Sequence, residues 1–64
     1  MNTNILRKAL QSEYQDATKA LTIAKSEVML TRFTGDGVGL QDAKNREKDA
    51  RARMRACKSE LSKL

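Results

Sequence analysis

The side chains best suited to chemistry in this sequence are the lysines and arginines of its second half. Five of them recur at alternating intervals of four and three residues, a spacing that places them along one flank of a helix. A row of cations can displace the counterions of a nucleic acid backbone, so the spacing indicates a surface for an anionic partner. The five residues are Lys44, Lys48, Arg51, Arg55 and Lys58.

The same row is also typical of a solvated helix face, on which the aliphatic stems of Lys and Arg shield apolar neighbours. Arg46 and Arg53 are expected to widen the basic surface, whereas acidic residues such as Asp49 dilute its field. No aromatic residue is placed to stack on bases. We therefore favour a solvated or protein-facing helix and keep nucleic acid as the alternative partner.

Catalytic chemistry is not expected from these residue types. The chain has no histidine, and its single cysteine, Cys57, falls in a regular apolar row where packing explains it better than reactivity does. The glycine-rich residues 35–39 lack the GK[ST] ending and the GxGxxG spacing of phosphate-binding loops. We predict a protein with no enzymatic activity, no cofactor, no metal and no small-molecule substrate.

Two helices are predicted to position these residues. All three glycines lie in residues 35–39, and the chain has no proline to interrupt the segments on either side. Few aromatic or β-branched residues are present, which argues against a sheet. We predict an all-α fold with one domain over residues 1–64: a helix over about residues 3–33, a glycine-rich loop over 34–39, and a helix over about 40–63.

Each predicted helix carries an apolar row with the alternating three- and four-residue spacing of a coiled coil. Glu47 is the one charged member, and we assign it to register or ion pairing rather than to catalysis. This row, called the seam below, comprises Leu10, Tyr14, Ala17, Leu21, Ala24, Val28 and Thr31 in the first helix and Leu40, Ala43, Glu47, Ala50, Met54, Cys57, Leu61 and Leu64 in the second.

Large and small residues alternate along the seam. If facing residues have numbers that add to 71, each layer sets one large side chain against a small one, which keeps the layer volume even. The pattern predicts an antiparallel, coiled-coil-like hairpin with its turn within residues 32–39. Its layers are Thr31/Leu40, Val28/Ala43, Ala24/Glu47, Leu21/Ala50, Ala17/Met54 and Tyr14/Cys57.

The first helix has more apolar surface than one neighbouring helix can cover. Such a surplus usually marks a contact with another chain. We predict that the hairpin is completed into a helical bundle, by dimerisation with itself or by another helical protein. The predicted contact residues are Leu6, Ile23, Leu30 and Phe33.

The composition also bears on the kind of partner and on the cellular compartment. Thirteen basic residues against eight acidic ones give a net charge of +5, a moderate excess that favours anionic partners. No secretory signal and no stretch long enough to span a bilayer is recognised, and a single cysteine fits a reducing compartment. We predict a cytoplasmic protein without a membrane partner.

In length and layout the chain resembles two kinds of small hairpin protein. One is the plasmid Rop-type RNA-binding hairpin, which dimerises into a four-helix bundle, and the other is the hairpin co-chaperone of type III secretion systems. The resemblance covers the whole chain, and it implies RNA binding or assistance in protein assembly. We predict a bacterial or phage interaction or assembly factor, with a Rop-type RNA-binding hairpin as the alternative.

Overall fold

The computed structural model describes residues 2–64 and contains two α-helices, α1 (Thr3–Thr34) and α2 (Gly37–Ser62). They pack side by side as an antiparallel hairpin that measures 49 × 14 × 13 Å. The predicted all-α hairpin is confirmed. Because the molecule is one layer of two helices, each helix has only one neighbour to bury its apolar face against.

The turn is shorter than the predicted loop over residues 34–39, which is wrong at its second boundary. α1 ends at Thr34 and is followed by Gly35, whose left-handed conformation (φ 76°) suits glycine, and α2 already begins at Gly37. The side chain of Asp36 accepts a hydrogen bond of 2.9 Å from the N–H of Gly39. This N-cap satisfies a donor of the first turn, so the remaining glycines are helical rather than free.

The N-terminus of α1 is also capped by a side chain. Asn2 lies before the helix in an extended conformation, and its side chain accepts a hydrogen bond of 3.0 Å from the N–H of Asn4. Asparagine is one of the residue types that are preferred as the N-cap of a helix. Both helix N-termini are therefore capped by a short polar side chain from the preceding residue.

The core lies along the seam and consists of small residues. Its buried members are Ala17, Ala24, Ala43, Ala50 and Cys57. The large seam residues are half-buried at the edges of the alanine contacts, except Leu64, which is exposed at the end of the chain. Small side chains at the centre allow two helices to approach closely, while the large ones cover the contact from both sides.

Two ion pairs join the helices and agree with an antiparallel arrangement. Arg46 binds Glu27, and Arg53 donates to Glu13 at 2.6 Å. The residue numbers of these pairs add to 73 and 66, on either side of the predicted value of 71. The ion pairs therefore connect helices that run in opposite directions, and the predicted layers stay a prediction.

Candidate partner-binding surfaces

Two packed helices leave a groove on each side of their line of contact, and one of these grooves is basic. The five α2 residues of the predicted stripe line it, together with Lys25 and Arg32 of α1. Two shallow depressions of ≈ 410 and ≈ 420 Å³ follow one another along it. The basic groove is thus defined by Lys25, Arg32, Lys44, Lys48, Arg51, Arg55 and Lys58.

Within the basic groove only one carboxylate balances these cations. Glu47 accepts a hydrogen bond of 2.7 Å from Arg51, four residues further along the same helix. The other six cations have no carboxylate within 4.0 Å among residues 2–64. The role of Glu47 in ion pairing, expected from the sequence, is therefore a local one within α2.

The groove on the other side of the seam is balanced in charge. Glu27 and Glu13 accept hydrogen bonds from Arg46 and Arg53, and the hydrogen bond to Glu13, followed by its charge, raises the pKa of Arg53 above its usual value. We call this side the ion-pair groove. The expectation that Arg46 and Arg53 widen the basic surface is wrong, because both side chains lie across the seam from it.

The net charge of the molecule is consequently concentrated on one side. The basic groove holds seven cations and one carboxylate, a local charge of +6. The remaining six basic and seven acidic residues of the chain nearly cancel, which leaves the total of +5. A field of this kind attracts anions to one face and leaves the opposite face able to approach a like-charged molecule.

An exposed apolar surface covers the outer side of α1. Ile23 is 60% exposed, Leu30 62% and Phe33 90%, so three of the four predicted contact residues are available to a partner. Met29 lies beside Leu30 and Phe33 around a depression of ≈ 370 Å³. We call Ile23, Met29, Leu30 and Phe33 the α1 apolar face.

Leu6, the fourth predicted contact residue, occupies a different position. Its side chain is half-buried, whereas Ile5 beside it is 67% exposed. Leu6 precedes Leu10 by four residues and so continues the seam rather than the outer stripe. Leu6 is therefore less accessible to a partner than Ile23, Leu30 and Phe33, and its part in the outer contact stays a prediction.

Sequence reasoning missed Lys25 and Arg32, although a signal for them exists. Each of them directly follows a seam residue, as do the five cations of α2, whereas Arg46 and Arg53 directly precede one. In this antiparallel pair the positions after seam residues of both helices border the same groove. The offset from the seam therefore separates the two grooves.

The other predicted sites can also be placed. Cys57 is a buried thiol in the seam, where it packs as a small side chain. Within residues 2–64, no group of three or more cysteine or carboxylate side chains converges as metal ligands would. Over the same residues, neither helix combines the length and apolar character that crossing a bilayer requires.

Comparison with known proteins found no matching family model, no matching curated protein and no matching solved structure.

Proposed function

We propose that this protein is a non-enzymatic interaction protein that associates with a second copy of itself through the α1 apolar face. The observation that carries the proposal is the exposure of Ile23, Leu30 and Phe33 on a hairpin that buries only alanine and cysteine. Large apolar residues in water contribute nothing to folding, and burying each one stabilises by about 1.5–3 kcal/mol. A second hairpin against this face would supply the missing layer.

The amount of exposed surface supports the need for a partner. The hairpin exposes 4905 Å², whereas a compact monomer of 7.2 kDa exposes roughly 4,100 Å². The difference, about 800 Å², equals the area that each partner buries in a standard protein interface. One contact along α1 could therefore bring the surface of each copy to that of an ordinary folded protein.

Charge favours a second copy as the occupant. Ile23 lies beside the ion-pair groove, in a depression that also includes Glu27, Arg46 and Arg53. Because these charges are paired, two copies can meet on this side without opposing like charges. Met29 and Phe33, at the other edge of the α1 apolar face, border Lys25 and Arg32 of the basic groove, so the contact that charge favours is centred on Ile23 and Leu30.

The role that follows is that of a small assembly or accessory factor. A four-helix bundle made from two hairpins is a common way to cover such faces, and its outer surface remains free for other molecules. The single cysteine is compatible with a reducing compartment, so the proposal places the protein in the cytoplasm of a bacterium or of a phage-infected cell.

The double substitution Ile23→Glu and Leu30→Glu tests the proposal. It places two carboxylates on the α1 apolar face, so the expected result is a monomer at concentrations where the unchanged protein is a dimer. The matched control is Ala52→Glu with Ala56→Glu, which adds the same charge to exposed positions on α2. Light scattering after size-exclusion chromatography gives the mass of each.

Helicity and thermal unfolding complete that experiment. The midpoint of unfolding of the unchanged protein and of the control should rise with protein concentration, because dissociation accompanies unfolding. The Ile23→Glu, Leu30→Glu variant should unfold at a lower and concentration-independent temperature. A wild-type protein that remains monomeric at about 1 mM would contradict self-association, because its association free energy would then be weaker than about −4 kcal/mol.

A further inference from the structure

We infer that the basic groove binds the phosphate backbone of a double-stranded nucleic acid. The inference goes beyond self-association and does not depend on it, because Ile23 and Leu30 lie outside the groove. It starts from the arrangement of cations from both helices, which the α2 stripe alone did not reveal. Lys25 and Arg32 on α1 face the α2 stripe across the depressions.

The length of the cation row fits the backbone of a nucleic acid duplex. From Lys44 to Lys58 the row covers about 21 Å of helix axis at 1.5 Å per residue. Over that length of duplex axis each strand carries about six phosphates, but the strands wind around the axis, so a row of cations reaches only the phosphates that border one groove. The cations of the two helices are therefore sufficient for about three to five phosphate contacts.

The electrostatics of the groove favour a polyanion over a small anion. Six of its cations have no carboxylate partner among the described residues, and their charges add along a line instead of converging on one point. Lysines and arginines spaced in this way act by releasing the condensed counterions of a backbone, an effect that grows with each contacted phosphate.

The most accessible part of the basic groove is formed by its cations. The apolar residues Leu21, Val28 and Met54 are half-buried in the seam, whereas the lysines and arginines are exposed. Lysine is depleted in the centres of protein interfaces, so the four lysines of the groove favour phosphates over a protein segment. Binding of an acidic polypeptide is tested directly in the experiment below.

A duplex fits better than a single strand. Single-strand sites combine a basic groove with exposed aromatic rings on which successive bases stack. The chain has two aromatic residues: Tyr14 is half-buried in the lining of one depression, and Phe33, 19 positions further along α1, lies near Arg32. The groove offers charge to a backbone and no series of stacking surfaces to bases.

The experiment measures binding of the full chain to fluorescein-labelled 20-base-pair duplexes of arbitrary sequence, by fluorescence anisotropy over a range of salt concentrations. Comparing an RNA duplex with a DNA duplex of the same sequence shows which nucleic acid the basic groove binds more tightly. Binding of either duplex supports the proposal. Contact with about three to five phosphates gives a slope of log affinity against log salt of about −2.7 to −4.5.

Two double substitutions with the same effect on net charge then test the groove itself. Lys48→Gln with Arg55→Gln removes two cations from the basic groove, and Arg46→Gln with Arg53→Gln removes two from the ion-pair groove. Loss of two phosphate contacts should weaken binding about 30-fold at 0.15 M salt and about 200-fold at 0.05 M. The control should stay within threefold of the unchanged protein at both salt concentrations.

Circular dichroism confirms that both variants keep their helices, so that weaker binding reports the groove rather than unfolding. Equal weakening by both variants would mean that net charge alone drives binding, which overturns the site. Equal or tighter binding of a single strand, or of a 20-residue polyglutamate, overturns the assignment to a duplex. Absence of measurable duplex binding at 0.05 M salt overturns it as well.

Discussion

At the scale of single residues, the role of a side chain is set by its offset from the seam rather than by its chemical type. Arg46 and Lys48 are both cations in the same two turns of α2, one on each side of the seam residue Glu47. Arg46 binds Glu27 across the helices, whereas Lys48 belongs to the basic groove. A difference of two positions therefore separates a paired charge from a charge available to a partner.

The two glycines at the start of α2 provide a prediction at this scale. A Cβ on Gly39 would clash with the Asp36 carboxylate and lie 3.1 Å from Thr31, whereas one on Gly37 would meet nothing within 4 Å. Gly39→Ala should therefore displace the capping carboxylate, and Gly37→Ala should not. Both changes restrict the unfolded chain equally, so we expect Gly37→Ala to be more stable by about 1 kcal/mol.

Urea unfolding of the two glycine variants at one protein concentration measures this difference. Equal stability of Gly37→Ala and Gly39→Ala would show that Asp36 caps α2 without the close contact to Gly39. Asp36→Ala gives an independent value for the cap, with an expected cost of about 0.5–2 kcal/mol.

At the scale of the helices, the hairpin depends on alanines that allow α1 and α2 to approach. Ala50 is 2% exposed in the layer that faces Leu21 in the predicted register, so Ala50→Leu should overpack this layer. We expect a loss of about 1–3 kcal/mol in the free energy of unfolding. Ala52→Leu is the matched control on the exposed side of α2, with an expected change within about 0.5 kcal/mol.

Chemical denaturation of these two leucine variants decides whether the alanine layers exist in solution. If Ala50→Leu and Ala52→Leu are tolerated equally, the helices do not pack along the seam. A large loss at Ala52 together with tolerance at Ala50 would mean that the outer side of α2 is the packed one.

At the scale of the whole molecule, the uneven charge predicts a response to salt. The unpaired cations of the basic groove repel one another, and we expect this repulsion to outweigh the two interhelical ion pairs, which are exposed and worth at most about 1 kcal/mol each. Raising sodium chloride from 0.05 to 0.5 M shortens the Debye length and should stabilise the protein. A gain on the order of 1 kcal/mol corresponds to about 4–8 °C in the unfolding midpoint.

Thermal unfolding of the two charge variants identifies the source of the salt effect. Lys48→Gln with Arg55→Gln relieves the repulsion, so its midpoint should rise less with salt than that of the unchanged protein. Arg46→Gln with Arg53→Gln removes the interhelical ion pairs that salt weakens, so its midpoint should rise more. The reverse order would show that the ion-pair groove controls the electrostatics of folding.

Much of this architecture follows from the sequence alone, because helix formation and seam spacing are local properties. The glycine cluster, the capping residues and the three-and-four spacing define two helices and the face that each one buries. The alternation of large and small residues then limits the register, since a slip by one step sets alanine against alanine. The place of Ala17 and Ala43 in the seam was therefore predictable, whereas the structure shows that, among residues 2–64, the alanine and cysteine members of the seam are buried and the large ones are not.

Only the tertiary structure shows those features that depend on how α1 and α2 pack together. The offset from the seam indicates which groove each cation borders, but only the packed hairpin shows that Arg46 and Arg53 bind Glu27 and Glu13 and that the cations of the basic groove are mostly without such partners. Pairing depends on which carboxylate the other helix brings within reach, and that is a property of the packed helices. The turn was also decided there, since Asp36 satisfies the N–H of Gly39 and makes helical two glycines that by propensity alone would remain in a loop.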